Sequence, residues 1–189
     1  MTVLGISGTP RKLGNSEALL DAALKPFVAA NWDVAKILLS EKTIHPCTGC
    51  ETCVEKRTCS IDDDMHEIYT AYNKCDAIII SSPVYYRNVP AQLKALFDRT
   101  FAAKNAPLRG KLGGAIAVGR GHGSGQSIVL NVIYNFYLSC GALCVPGELN
   151  GVNAVADKPG DILYQPRRLE QAQVLGRNIL SYMDMRRTT

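Results

Sequence analysis

No stretch of this 189-residue chain approaches the ~20 consecutive apolar residues that a membrane-spanning helix needs. The opening Met1-Thr2-Val3-Leu4-Gly5-Ile6 places no charged segment ahead of its short apolar run, so no secretory leader is expected and a cytoplasmic location is. Lysines and arginines form no run, and the formal net charge is only +4, so nucleic acid is not an expected partner while an anionic ligand is compatible. Neither GxxxxGK[ST] nor GxGxxG occurs, which counts against a nucleoside triphosphate and against a dinucleotide bound at the first loop. The histidines stand in no His/Asp or Cys/His arrangement, so no side chain is expected to serve as nucleophile or general base. Repeats, low-complexity tracts and linkers are also missing. One domain over residues 1–189 is therefore expected, with 47% hydrophobic residues to fill its core.

Cysteine, by contrast, is abundant and clustered. Cys47, Cys50, Cys53 and Cys59 follow the spacing C-x2-C-x2-C-x5-C inside the segment 45–60. Four thiolates so close along the chain can surround one soft-metal centre without help from distant residues. Three cysteines at x2 spacing followed by a fourth favour an Fe–S cluster whose ligands are all local. Zinc competes, although its structural sites usually come as two separated cysteine pairs. Free or redox-active thiols are the third reading. Seven cysteines, an odd number without a secretion signal, suit a reducing compartment where clustered thiols bind metal. Cys75, Cys140 and Cys144 read as packed thiols.

Around this cluster the chain alternates strand-like and helix-like segments. Strands are expected at 2–6, 33–39, 76–81, 112–118 and 142–145. Helices are expected after Asn15, from Asp62 to Tyr72, from Pro90 to Phe101, from Ser124 to Ser139, and at 165–185. The Asp62-Asp63-Asp64 triplet supplies carboxylates at a helix N-terminus, where the helix dipole favours them. Such alternation implies a parallel sheet covered by helices on both faces. Five strands point to a flavodoxin-like doubly wound α/β sheet of order 2-1-3-4-5, with the cysteine loop inserted after strand 2. Ligands in such sheets sit beyond the carboxyl ends of the strands, where three loops would meet.

The first loop offers hydroxyls from Ser7, Thr9 and Ser16, a cation from Arg11, an amide from Asn15 and the N-terminus of a helix. That set suits a terminal monophosphate, whereas a plain turn with Asn15 or Ser16 capping the helix is the simpler alternative. In the second loop Pro83 stiffens the exit from an apolar strand. Tyr85 and Tyr86 then project differently, so that one could meet a planar ring. The third, Gly119 to Gln126, carries four alternate glycines, among them Gly119 and Gly121, whose backbone could approach a ligand closely. His122 within it reads as a polar loop residue.

Ser7-Gly-Thr-Pro-Arg11 with Gly14-Asn-Ser16, Ser82-Pro-Val-Tyr-Tyr86 with Ala91-Gln-Leu-Lys94, and the compact cysteine run together resemble the iron–sulfur flavoprotein family. That family is part of the wider group of NADPH-dependent FMN reductases. The resemblance extends over residues 1–145. It implies FMN and one [4Fe–4S] cluster per subunit, and a homo-oligomer, dimer or tetramer, in which FMN lies at a subunit interface near a neighbour's cluster. It further implies that Ser7, Thr9, Arg11, Asn15 and Ser16 hold the phosphate and ribityl chain. Pro83, Val84, Tyr85 and Tyr86 would border the isoalloxazine with Asn88 nearby, and the Gly119/Gly121 loop would close over it. Cys47, Cys50, Cys53 and Cys59 would bind the cluster. Arg87 stands where the family pattern has glycine, and Ser127 where an acidic residue is common.

The expected activity is electron relay between cluster and FMN, with a ferredoxin-like or NAD(P)H donor and the cofactors supplying the chemistry. Two alternatives stand beside it: an NAD(P)H-dependent FMN or quinone reductase without a redox cluster, and a zinc-stabilised binding module.

Overall fold

The computed structural model describes residues 1–103, 107–121 and 125–187; His122 lies outside them. Strand β1 (Thr2–Ser7) leads into helix α1 (Asn15–Ala29) and strand β2 (Asp33–Leu38). The cysteine segment follows and contains a five-residue helix, α2 (Thr52–Lys56). Next come α3 (Met65–Lys74), β3 (Ala77–Pro83), α4 (Ala91–Arg99), β4 (Leu112–Gly119) and α5 (Gly125–Ser139). Two short strands, β5 (Leu143–Cys144) and β6 (Val152–Val155), precede the last helix, α6 (Pro166–Arg187).

Every strand pairing is parallel, and the sheet runs β2-β1-β3-β4-β5, the order expected from the alternation of elements. The fifth position differs from the single short strand expected at 142–145. β5 pairs only with Leu112 and Gly113, and β6 takes over beside Ile116–Gly119. Val145 still donates to the Gly113 carbonyl at 2.8 Å, but Pro146 has no N–H to continue the ladder. The chain leaves the edge there and returns at Val152.

The two-residue period of the strands sorts their side chains onto two cores. Leu4, Ile6, Ile78 and Ile80 pack with Tyr72, Leu93, Leu96 and Tyr137 on one face. Val3, Ala77, Ile79 and Ile116 pack with Leu19, Phe27, Leu175 and Ile179 on the other. Fully burying each such isoleucine stabilises the fold by about 1.5–3 kcal/mol, which is why the β-branched run at 78–80 occupies a central strand. β1 lies between β2 and β3, so the strand order reverses there, with Ser7 beside Ser81 at the carboxyl ends. The loops after β1 and β3 rise from that reversal, the place where doubly wound sheets receive ligands.

Candidate functional site

A cleft opens at the strand reversal, lined by Thr9, Arg11, Gly14, Asn15, Ser16, Pro83, Val84 and Tyr85, and on its far side by Val118, Arg120, Ala156, Asp157 and Pro159. Gly8 makes its first wall possible. Its N–H donates to the Ser81 carbonyl at 2.7 Å, and a Cβ there would lie 2.6 Å from the Leu93 side chain. The Thr9 hydroxyl accepts from the Arg11 N–H at 3.1 Å, and the buried Glu17 carboxylate accepts from Leu13 at 2.8 Å, so the loop is shaped from within. Helix α1 begins at Gly14 without any side-chain cap. Its first-turn N–H groups, those of Asn15, Ser16 and Glu17, therefore have no intrahelical acceptor. Arg11 is exposed and has no ion-pair partner among the described residues. The Asn15 side chain is already committed: it donates to the Lys158 carbonyl at 2.8 Å and accepts from Ile162 at 3.2 Å. It ties α1 to the loop after β6.

Of the residues expected here, the cleft brings together Thr9, Arg11, Asn15, Ser16, Pro83, Val84 and Tyr85. Ser7 is not among the lining residues, and its buried hydroxyl has no hydrogen-bond partner among the described residues. Gly119 is buried at the end of β4, where a Cβ would sit 2.8 Å from Gln126, so its smallness serves that side chain. Gly121 is exposed with open space around it. Asn88 turns its side chain onto the Val89 N–H at 2.8 Å. Tyr85 and Asn88 exchange backbone hydrogen bonds at 2.8 and 2.9 Å, which closes a two-residue hairpin over Tyr86 (φ 47°) and Arg87 (φ 63°). Left-handed dihedrals at both central positions define a type I′ turn, whose usual residues are Asn-Gly. Holding non-glycine residues there costs about 1–2 kcal/mol each. Tyr86 is fully exposed at 104% relative area, whereas Tyr85, at 39%, reaches the cleft.

The second centre lies at the far end of α4. Cys47, Cys50, Cys53 and Cys59 all line one small cavity, closed by Ile61, Arg99, Phe101 and Ala102. None of the four is in a disulfide. The loop curls through three left-handed residues, Gly49 (φ 67°), Glu51 (φ 58°) and Arg57 (φ 53°). Glycine adopts this conformation freely between Cys47 and Cys50. Arg57 closes α2 by donating to the Cys53 carbonyl at 3.0 Å, an αL cap. The Ser60 hydroxyl, the Thr52 hydroxyl and N–H, and Thr48 hydrogen-bond to the Cys50 sulfur and bring its thiol down to about 6. Stabilising the thiolate is what a soft-metal ligand requires.

Arg99 and Asp63, which sequence reasoning missed, hold the neck of this loop. Their side chains form an ion pair only 1% and 2% exposed. Arg99 also donates to the His45 and Ile61 carbonyls, both at 3.2 Å, and to the Cys59 sulfur at 3.5 Å. Asp63 accepts from the backbone N–H of His45 at 2.9 Å and of Met65 at 3.0 Å. Burial works against its charge, yet these donors and Arg99 leave the carboxyl below its ordinary range. The triplet at 62–64 thus does more than face a helix dipole, since Asp64 in turn accepts from Thr43 at 2.6 Å. One sequence signal pointed to Arg99: it continues the buried stripe of Leu93 and Leu96, where a charge needs a partner. Arg120 and Asp157, an exposed ion pair on the rim of the cleft, were missed as well.

Over residues 1–156 the chain matches the NADPH-dependent FMN reductase family. It is 38% identical over 184 residues to an iron–sulfur flavoprotein of Methanocaldococcus jannaschii, covering 95% of each chain. It is 39% identical over 163 residues to an iron–sulfur flavoprotein of Methanosarcina thermophila, covering 85% of each. Among solved structures, a flavodoxin from the domain Archaea superposes with a TM-score of 0.65 at 17% identity, over 97% of this chain and 99% of that one, a likeness of fold.

Proposed function

This chain belongs to the NADPH-dependent FMN reductase family and, within it, to the iron–sulfur flavoproteins, and from that premise we propose that it relays electrons between a [4Fe–4S] cluster in the cysteine cavity and FMN in the cleft. The observation that carries this reading is the convergence of all four clustered cysteines on one cavity while a separate cleft forms at the strand reversal. The cleft residues suit FMN. An uncapped helix N-terminus and Arg11 face the place of a phosphate, and Pro83, Val84, Val118 and Ala156 offer an apolar wall to a planar ring. Four cysteines around one cavity suit a soft-metal centre with four local sulfur ligands, and their x2-x2-x5 spacing is unlike the two separated pairs of structural zinc sites. When bound, FMN takes electrons singly or in pairs and an Fe–S cluster takes them one at a time, which couples the two kinds of partner.

The protein's own part is to bind, to space and to shield. Helix α4 joins the hairpin beside the cleft to Arg99 beside the cysteines, and its nine residues span about 14 Å. That separation within one chain favours assembly as a homo-oligomer in which FMN faces a neighbour's cluster. The exposed Leu13 and Tyr86 near the cleft, and Val54 and Phe101 near the cysteines, are apolar groups that a second copy would cover. No helix among the described residues is long and apolar enough to cross a membrane. Clustered metal-binding cysteines suit a reducing compartment, and a ferredoxin-like carrier or NAD(P)H is the donor class that fits a flavin reductase.

Iron, sulfide, zinc and FMN are measured in anaerobically purified protein and in Cys50→Ala. The expected result is about four iron and four sulfide per FMN, and loss of iron but retention of FMN in the variant. FMN without iron would return the chain to a plain flavin or quinone reductase, and zinc without sulfide to a binding module.

A further inference from the structure

Arg99 is a puzzling residue to bury. Its side chain is 1% exposed, and among the described residues its Nε has no hydrogen-bond partner and its charge is matched by a single buried carboxylate. Buried ion pairs of this kind commonly add no stability over apolar residues of the same shape, and an orphaned N–H is an added cost. Closing the neck of a loop does not by itself call for a cation. What does distinguish this position is where the guanidinium points: one terminal nitrogen donates to the Cys59 sulfur at 3.5 Å while Asp63 pairs with the other. The positive end of the pair therefore faces the cysteine cavity, which Arg99 itself lines.

We infer that Arg99 is the positioning residue that sets the reduction potential of the cluster, with Asp63 as its counterweight; this rests on the cluster reading above. Reduction adds one electron to a centre already carrying thiolate charge, and forms or breaks no bond at Arg99. The electron comes from dithionite in a titration, and from a one-electron carrier or the reduced flavin in turnover. A cation hydrogen-bonded to a ligand sulfur stabilises the more negative, reduced form and raises the potential, while the carboxylate behind it moderates the effect. Among the described residues no charged side chain donates to Cys47, Cys50 or Cys53, so Cys59 is the sulfur through which the guanidinium is tied to the cavity.

The test is a dithionite titration, followed by visible absorbance and electron paramagnetic resonance, of cluster-loaded wild-type protein, Arg99→Gln, Arg99→Lys and Asp63→Asn. FMN content serves as the check on folding, since the cleft lies at the other end of α4. In Arg99→Gln the ratio of reduced to oxidised cluster at the wild-type midpoint should fall about tenfold, which is 59 mV for a one-electron couple. Arg99→Lys should fall less. In Asp63→Asn the ratio should rise, because the guanidinium then acts uncompensated. A purely structural neck would weaken cluster retention in both variants but would not move the potential in opposite directions. Unchanged potentials, or shifts of the same sign, overturn the inference while leaving the cluster intact. If Arg99→Gln takes up no iron, Asp63→Asn decides alone, and a potential that falls or stays put refutes the proposal. Wild-type protein that binds no iron and sulfide would overturn the cluster reading and this inference together.

Discussion

Replacing Arg11 with alanine should weaken FMN binding by about tenfold and no more. A hydrogen bond to a charged group contributes about 1.5–3 kcal/mol when shielded, but Arg11 is exposed at the rim of the cleft, and exposed ion pairs contribute about 0–1 kcal/mol. A value near 1.4 kcal/mol, one factor of ten in Kd, lies between these limits. The rest of the phosphate's binding would survive, because the uncapped first turn of α1 and the buried Thr9 and Ser16 hydroxyls do not depend on Arg11. The assay is titration of apoprotein with FMN, read by flavin fluorescence, at low salt and near 1 M salt. There the Debye length falls to about 3 Å and the difference between the two proteins should shrink. Riboflavin is the control: lacking the phosphate, it should bind both proteins alike. Unchanged FMN affinity at low salt would remove Arg11 from the phosphate site. An equal loss for riboflavin would mean that the substitution had disturbed the cleft as a whole.

Arg87→Gly should stabilise the protein. Relief of the left-handed backbone at φ 63° gains about 1–2 kcal/mol, and the extra freedom of glycine in the unfolded chain takes back about 0.5–1 kcal/mol. The net of roughly 0.5–1 kcal/mol corresponds to a rise in Tm of about 1–4 °C for a chain of this size, and a fall on calorimetry would mean that the Arg87 side chain supports the hairpin. In metal-free protein, Cys50 should be the first cysteine alkylated by iodoacetamide. Its thiol is brought to about 6 by the Ser60, Thr52 and Thr48 donors, so its labelling rate should hold at pH 7 and halve only on falling to about pH 6, whereas burial pushes Cys140 up to about 11 and keeps it unreactive. Peptide mass spectrometry reads the order, and uniform labelling of all four clustered thiols would contradict it.

The fold was legible because its signals are local. The apolar β-branched run Ile78–Ile80, the turn residues after Ile6 and the three loops rich in Gly, Ser and Pro announce strand, reversal and ligand face within a few residues of each other. The split fifth strand was less so, because Pro146 ends a ladder only if the neighbouring strand is already in place. Asn15 illustrates a different limit. A phosphate ligand and a structural tie call for the same residue at the same point of the chain. Only the position of Lys158, 143 residues away, shows that the amide makes a structural tie as well.

The cysteine centre divides along the same line. The convergence of its four cysteines was legible because their spacing is the whole signal, whereas Arg99 and Asp63, 36 residues apart, meet only in the folded chain. That distinction matters for what holds the loop. Helix α2 buries no side chain, and the surrounding turn keeps Glu51 and Arg57 in left-handed conformations that cost free energy. Such a segment draws little from the hydrophobic core. Its shape must come from the neck, where Arg99, Asp63 and Asp64 clasp residues 43–45 to 59–63, and from whatever its four thiols bind, since metal binding to a loop without a core is itself folding free energy. The neck supplies the register, and a cluster bound by the four thiols would supply the cohesion. One guanidinium takes part in both, because the same fork that spans the His45 and Ile61 carbonyls also donates to the sulfur of Cys59.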